Sequence, residues 1–185
     1  MRDGFIELAS GISPKRIIFS GRTKTTSDIW LTPPYILEAL GKFDLDPCAS
    51  TDRPWDTAKH HYTKEDDGLK HDWAGRIFLN PPYGKELKIW LERLAKHGNG
   101  IALVPARTDT KWFHSLVWQS ADGVFFKKGR IKFFRENGEL GKQPSFPPCL
   151  IAYGQSNADI LRNLNTEKLN GRYLDLKNHC ENGQR

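Results

Sequence analysis

The chain has 185 residues, of which 38% are hydrophobic, with 10 Phe and 6 Trp and a formal net charge of +6. That is one domain's length with enough aromatic surface for a packed core, and no apolar run reaches the ~18 residues of a membrane span. Met1-Arg2-Asp3-Gly4 leads into no long apolar leader, and Cys48, Cys149 and Cys180 are odd in number and widely spaced, so neither a disulfide framework nor a zinc site is expected and an intracellular, cytoplasmic protein is.

Residues 1–26 mix Ser, Thr and Gly with Lys15, Arg16, Arg22 and Lys24, and read as a basic, partly ordered arm. The main domain is expected over 27–154, followed by a short helix and polar tail over 155–185. Thr32 suits a helix N-cap and Pro33 the first turn. Ile36, Leu37 and Leu40 then share a face, and Gly41 ends the helix. Phe43-Asp44-Leu45-Asp46 reads as the first strand of a sheet. Carboxylates near the end of a central strand are costly to bury without partners. Ligands of open α/β sheets bind beyond the carboxyl ends of strands, which makes Asp46 a candidate site residue. Residues 51–75 are polar and broken. His60 and His61 would point to opposite sides of a strand, and no Cys or Asp spacing completes a metal set, so no metal is expected.

A short apolar strand, Arg76-Ile77-Phe78-Leu79, runs into Asn80-Pro81-Pro82-Tyr83. Proline lacks an N–H, and two in a row stiffen the backbone into an extended turn. The Asn80 side-chain oxygen and the Pro81 carbonyl are then fixed as acceptors beside an aromatic face. That set suits a planar ring bearing an amino group, with the ring against Tyr83. Leu87, Trp90, Leu91 and Leu94 mark one helical face, with Gly98 as its stop. Ile101-Ala102-Leu103-Val104-Pro105 is a buried strand ending in the polar loop Ala106-Arg107-Thr108-Asp109-Thr110. Thr108 or Asp109 could cap a helix holding Trp112, Phe113, Leu116 and Val117.

Val124-Phe125-Phe126 and Arg130-Ile131-Lys132-Phe133-Phe134 read as strands, Asn137-Gly138 as a turn and Pro148–Tyr153 as the last strand. Lys127, Lys128, Arg130, Lys132, Arg135 and Lys142 outnumber Glu136 and Glu139 in this stretch. Such a segment favours a polyanionic partner with salt-dependent binding.

Asn80-Pro81-Pro82-Tyr83-Gly84 resembles the (Asp/Asn)-Pro-Pro-Tyr motif of amino-group methyltransferases that use S-adenosylmethionine. Together with Asp28-Ile29-Trp30-Leu31-Thr32-Pro33-Pro34, Asp44-Leu45-Asp46-Pro47-Cys48-Ala49-Ser50 and Asp67-Gly68-Leu69, it makes the chain similar to the phage-type (Dam-like) DNA N6-adenine methyltransferases over about residues 27–154. The resemblance implies an α/β, Rossmann-like methyltransferase sheet with helices on both faces and an antiparallel C-terminal end. It also implies S-adenosylmethionine as cofactor, no metal, double-stranded DNA as partner, and a phage- or prophage-encoded protein working in the host cytoplasm.

For the site, the resemblance assigns Asn80, Pro81, Pro82 and Tyr83 to catalysis, and Trp30, Thr32 and Pro33 to covering the cofactor. Asp46 would meet the methionine ammonium, with Pro47, Cys48 and Ala49 standing where most such enzymes carry a glycine-rich loop. Asp67, with Asp66 as its neighbour, would lie near the adenosine. Arg107 and Asp109 would lie beside the target base, and Lys127, Lys128, Arg130 and Lys132 on the DNA. Cytosine N4, an RNA or protein amino group, and an inactive DNA-binding role are the alternatives. Ring-carbon methylation of cytosine is rejected, because neither Cys48 nor Cys149 has an activating partner in the sequence pattern.

Overall fold

A computed structural model describes residues 30–141, 144, 146–164 and 169–177. The expected basic arm, Asp28, Ile29, Lys142 and residues 178–185 lie outside the described residues. The first helix, α1 (Pro34–Leu40), starts one residue later than the sequence suggests. Pro33 takes the N-cap position in an extended conformation, and no side chain caps the helix. Thr32 is therefore not a cap; its hydroxyl has another partner. Gly41 ends the helix with φ +80, donating its N–H to the Leu37 carbonyl.

The strands are β1 (Leu45–Asp46), β2 (His60–His61), β3 (Ile77–Leu79), β4 (Gly100–Pro105), β5 (Gly123–Lys127), β6 (Pro148–Tyr153) and β7 (Gly171–Asp175). They form one seven-stranded sheet in the order β2-β1-β3-β4-β6-β5-β7. The half from β2 to β4 is parallel, and β6 inserts antiparallel between β4 and β5. Antiparallel pairing therefore does occupy the C-terminal part of the sheet.

Helices α2 (Leu87–His97) and α3 (Lys111–Phe113), the latter running on as a π-helical turn (His114–Trp118), pack on one face. Helices α1 and α4 (Gln155–Arg162) pack on the other. Because strand side chains alternate, Ala102 and Val104 meet α2 and α3 while Ile101 and Leu103 meet α1 and α4. At the edge of the sheet where the parallel strands begin, Arg76 is a bolt. It donates to the Lys42 and Leu40 carbonyls at 2.8 and 2.9 Å and to Asn157 Oδ1 at 2.6 Å, with its guanidinium over Phe43.

The first strand is shorter than the expected Phe43–Asp46, with Phe43 and Asp44 leading into it rather than forming part of it, and three further sequence expectations need correction. Residues 130–134 are not a strand of the sheet: only Phe134 pairs, through isolated bridges to Leu31 and Leu140. Ile131 and Phe133 are buried and Lys132 is exposed, so the alternation is real, but it packs a strap rather than a ladder. The polar tail contains β7, which pairs with β5 from Gly123↔Asp175 to Lys127↔Gly171. Its half-buried residues carry too little apolar signal to read as a strand. The helix after β4 starts later than expected, with Thr110 rather than Thr108 or Asp109 at its N-cap.

Gly123 gives β7 its fit, since a Cβ there would come 2.3 Å from Tyr173 Oη and 2.5 Å from its ring. Gly123→Ala is expected to cost about 1–3 kcal/mol through overpacking. Adding Tyr173→Leu should recover part of that loss in urea unfolding. An unchanged unfolding midpoint for Gly123→Ala would contradict the docking of the tail strand.

Candidate active site

Strands β1, β3 and β4 all end at one edge of the sheet, where β5 also ends and β6 begins, Pro105 pairing with Pro148 and Phe126 with Cys149. From β1 the chain steps outward to β2, then returns to place β3 on the other side of β1. Such a reversal of strand order marks the usual ligand position in open α/β sheets. Asp46 ends β1, and Asn80 follows β3.

The Asn80 side chain is held by its nitrogen. Nδ2 donates to the Trp30 carbonyl at 2.8 Å and to Thr32 Oγ1 at 3.3 Å. A backbone carbonyl only accepts, so the nitrogen must be the atom facing it, and Oδ1 points away. Among the described residues nothing donates to Asn80 Oδ1 or to the Pro81 carbonyl. Tyr83 is half-buried; its hydroxyl is buried without a partner among the described residues, and burial raises its pKa. Pro81 is buried and Pro82 exposed.

Asp46 is 3% exposed. Its Oδ1 accepts the Cys48 N–H at 3.0 Å and its Oδ2 accepts the Thr57 hydroxyl. Burial outweighs these bonds and the pull of Arg53, moving its pKa from 3.8 up to about 6. Pro47 and Ala49 are buried beside it, the Ala49 N–H bonding to the Tyr62 carbonyl at 2.9 Å. The loop after β2 closes on this corner: a Cβ on Gly68 would lie 2.0 Å from the Pro47 carbonyl oxygen. Asp67 precedes it with φ +56, its carboxylate paired with Lys70 at 2.9 Å. Asp66 instead closes its own turn, accepting from the Thr63 N–H and hydroxyl at 2.8 and 2.9 Å.

The structure therefore unites Trp30, Thr32 and Asn80 in one network and Asp46, Pro47, Cys48 and Gly68 in another, with Pro33 buried alongside the first. Arg107 and Asp109 are exposed on the loop after β4, and among the described residues neither bonds to these networks. The Arg107 guanidinium lies 4.8 Å from the centre of the Phe146 ring. Lys127 is half-buried, while Lys128, Arg130 and Lys132 are exposed where β5 leaves the same edge. Arg130 donates to the Pro144 carbonyl at 3.0 Å.

Sequence reasoning missed Trp55, Thr57, Phe134 and Glu136. The Trp55 indole donates to the Thr32 carbonyl at 3.0 Å and meets Phe134 edge-on, while Ser50 donates to Glu136 at 2.8 Å. The one available signal was a lone Trp in an otherwise polar stretch. A groove of about 620 Å³ bordered by Leu37, Phe43 and Thr57 contains none of the expected site residues.

Burial raises both thiols, Cys48 well above its ordinary value with the Asp46 charge adding to the effect, and Cys149 up to about 12. Neither environment favours the thiolate form. Among the described residues no group of three or more His, Cys, Asp or Glu is placed to hold a metal.

The chain is thus a mixed α/β domain with a buried carboxylate and two outward acceptors at the point where its strand order reverses. The family model described as DNA N-6-adenine-methyltransferase (Dam) matches residues 20–163, and the chain belongs to that family of DNA-modifying transferases. No curated protein and no solved structure matches it.

Asp46 sets a pH dependence. With its folded pKa above its unfolded value, the folded protein binds more protons between about pH 4 and 6, so this group's contribution falls as pH rises through that window. Asp46→Asn should flatten the fall and raise the stability of the ligand-free protein at pH 8 by about 1–3 kcal/mol. Urea unfolding at pH 5 and pH 8 measures both.

Proposed function

We propose that the chain transfers a methyl group from S-adenosylmethionine to the N6 amine of an adenine turned out of duplex DNA. The observation that carries this reading is the Asn80 amide, pinned by its nitrogen so that Oδ1 and the Pro81 carbonyl are left as outward acceptors. The exocyclic amine of adenine offers two N–H donors to such a pair.

The residues present also fit the cofactor. Asp46 is a buried carboxylate whose charged form is disfavoured by its surroundings. A cation beside it, such as the methionine ammonium, would favour that charge. Gly68, flush against Pro47, brings Asp67 to the same corner, where its exposed carboxylate can reach ribose hydroxyls. Trp30 and Pro33 form the wall beside Asn80, with the Thr32 hydroxyl turned to the Asn80 amide behind it.

S-adenosylmethionine, when bound, supplies a methyl group on a positively charged sulfur. Asn80 and Pro81 do the rest of the work on the amine. The nitrogen lone pair is delocalised into the ring, and two acceptors turn the amine toward tetrahedral geometry while stabilising the positive charge that grows on it. Alignment with the methyl group is an orientation effect. Tyr83 offers its ring as a stacking surface for the displaced base. The proton held against the acceptors leaves to water after transfer.

The basic residues Lys127, Lys128, Arg130 and Lys132 lie at the end of β5 on this same edge, where they suit the phosphates of double-stranded DNA. The family resemblance further implies a phage-borne protein acting in the bacterial cytoplasm.

Asn80→Ala should lower turnover about 10²–10³-fold, the usual effect of removing one preorganised transition-state donor or acceptor. DNA affinity should stay within about twofold in the same preparation. Equal losses of affinity and turnover would contradict the role. Replacing Lys127, Lys128, Arg130 and Lys132 together by Gln should flatten the plot of log affinity against log salt by about 0.9 for each phosphate no longer neutralised. An unchanged slope would remove these residues from the DNA surface.

A further inference from the structure

We infer that Thr32 is a positioning residue for Asn80: the Trp30 carbonyl decides which end of the amide faces the substrate, and so makes Asn rather than Asp the residue this scaffold accepts, while the Thr32 hydroxyl takes the second N–H and holds the amide in that orientation. The inference rests on the reading of Asn80 as the acceptor for the amine.

A primary amide has two N–H donors, and both are spent here. The Trp30 carbonyl at 2.8 Å takes one and Thr32 Oγ1 at 3.3 Å the other. The bond to Trp30 cannot form if the amide is flipped, because an oxygen would then face a carbonyl oxygen; the Thr32 hydroxyl, able to donate or accept, holds whichever atom that carbonyl turns toward it. Thr32 is 1% exposed yet caps no helix, so its buried hydroxyl is explained by Asn80 and not by α1.

The segment carrying Thr32 is held on both sides. Its carbonyl accepts the Trp55 indole at 3.0 Å, and Leu31 exchanges backbone bonds with Phe134 at 2.9 and 3.0 Å. Trp55 and Phe134 meet edge-on at 5.2 Å, closing the strap. The Trp30 carbonyl is thus a fixed reference for the amide.

An Asp in the same place would set a carboxylate oxygen against the Trp30 carbonyl. Two acceptors in a half-buried site repel, and only a proton between them restores the bond. The motif resembled by Asn80-Pro81-Pro82-Tyr83 admits either residue, so the choice of Asn here follows from its backing.

Thr32→Val keeps the shape and removes the hydroxyl. Turnover should fall about 5–10-fold, the equivalent of a single hydrogen bond. KM for DNA and the dissociation constant for S-adenosylmethionine, measured by calorimetry, should stay within about twofold. Thr32→Ser should restore most of the turnover. Asn80→Asp should lose about 100-fold at pH 8 and regain activity on acidification, as its carboxyl takes up the missing proton.

Nitrogen-15 spectra give a readout independent of activity. The Asn80 side-chain N–H protons should exchange slowly in the wild type and faster in Thr32→Val. Weakened cofactor binding with intact turnover in Thr32→Val would overturn the inference and make Thr32 a cofactor ligand. So would an Asn80→Asp enzyme as active as the wild type across the pH range. If the wild type methylates nothing, the reading of the reaction fails. The exchange data then decide the positioning alone, and free exchange of the wild-type Asn80 amide would refute it.

Discussion

Pro81 has no N–H to give, and the site follows from that absence. Strand β3 pairs with β4 only as far as Leu79↔Ala102, while β4 runs on to Pro105. A residue with a donor could have extended the ladder; Pro81 and Pro82 turn the chain out of the sheet instead. The last residue before the turn, Asn80, is left at the boundary between the buried strand and that turn. Its side chain is then fixed from behind by α1's leading segment. Fold and site meet at this one peptide.

Around it the electrostatics are selective. Burial keeps the phenol of Tyr83 and the thiols of Cys48 and Cys149 neutral. Asp46 differs, because its raised pKa of about 6 still leaves it charged at neutral pH. The corner therefore offers a buried negative charge supported by the Cys48 N–H and the Thr57 hydroxyl, with Arg53 near enough to pull on it. Such a charge, only partly compensated, is suited to a cationic ligand and costs stability without one. Under the proposed function, ligand binding and stability pull in opposite directions at this residue.

Much of this was legible in the sequence because it depends on short-range chemistry. The Pro-Pro break, Asp46 at the end of β1, and the apolar faces of α2 and β4 are properties of consecutive residues, and the structure has each where it was expected, whereas Asp44 precedes β1 and is exposed. What was hidden depends on partners distant in sequence. The run 130–134 alternates like a strand, but Phe134 bridges to Leu31 rather than joining the sheet. Strand β7 exists because β5 has an edge to pair and Gly123 leaves room for Tyr173. Thr32 looks like a helix cap in isolation; only Asn80, 48 residues away, reveals what its hydroxyl serves. Trp55 and Thr57 lie in a stretch with no periodicity, and three-dimensional closure alone brings them to the site.

Nucleoside analysis of the product tests the central claim most directly. The protein would be incubated with S-adenosylmethionine and unmethylated duplex DNA, and the DNA digested and examined by mass spectrometry. N6-methyladenine is the expected product, appearing in proportion to enzyme and missing when S-adenosylmethionine is left out. N4-methylcytosine in its place would keep the amine chemistry of Asn80 and Pro81 but contradict the assigned base. DNA returned unmodified by a folded protein that binds S-adenosylmethionine would contradict the proposed reaction itself.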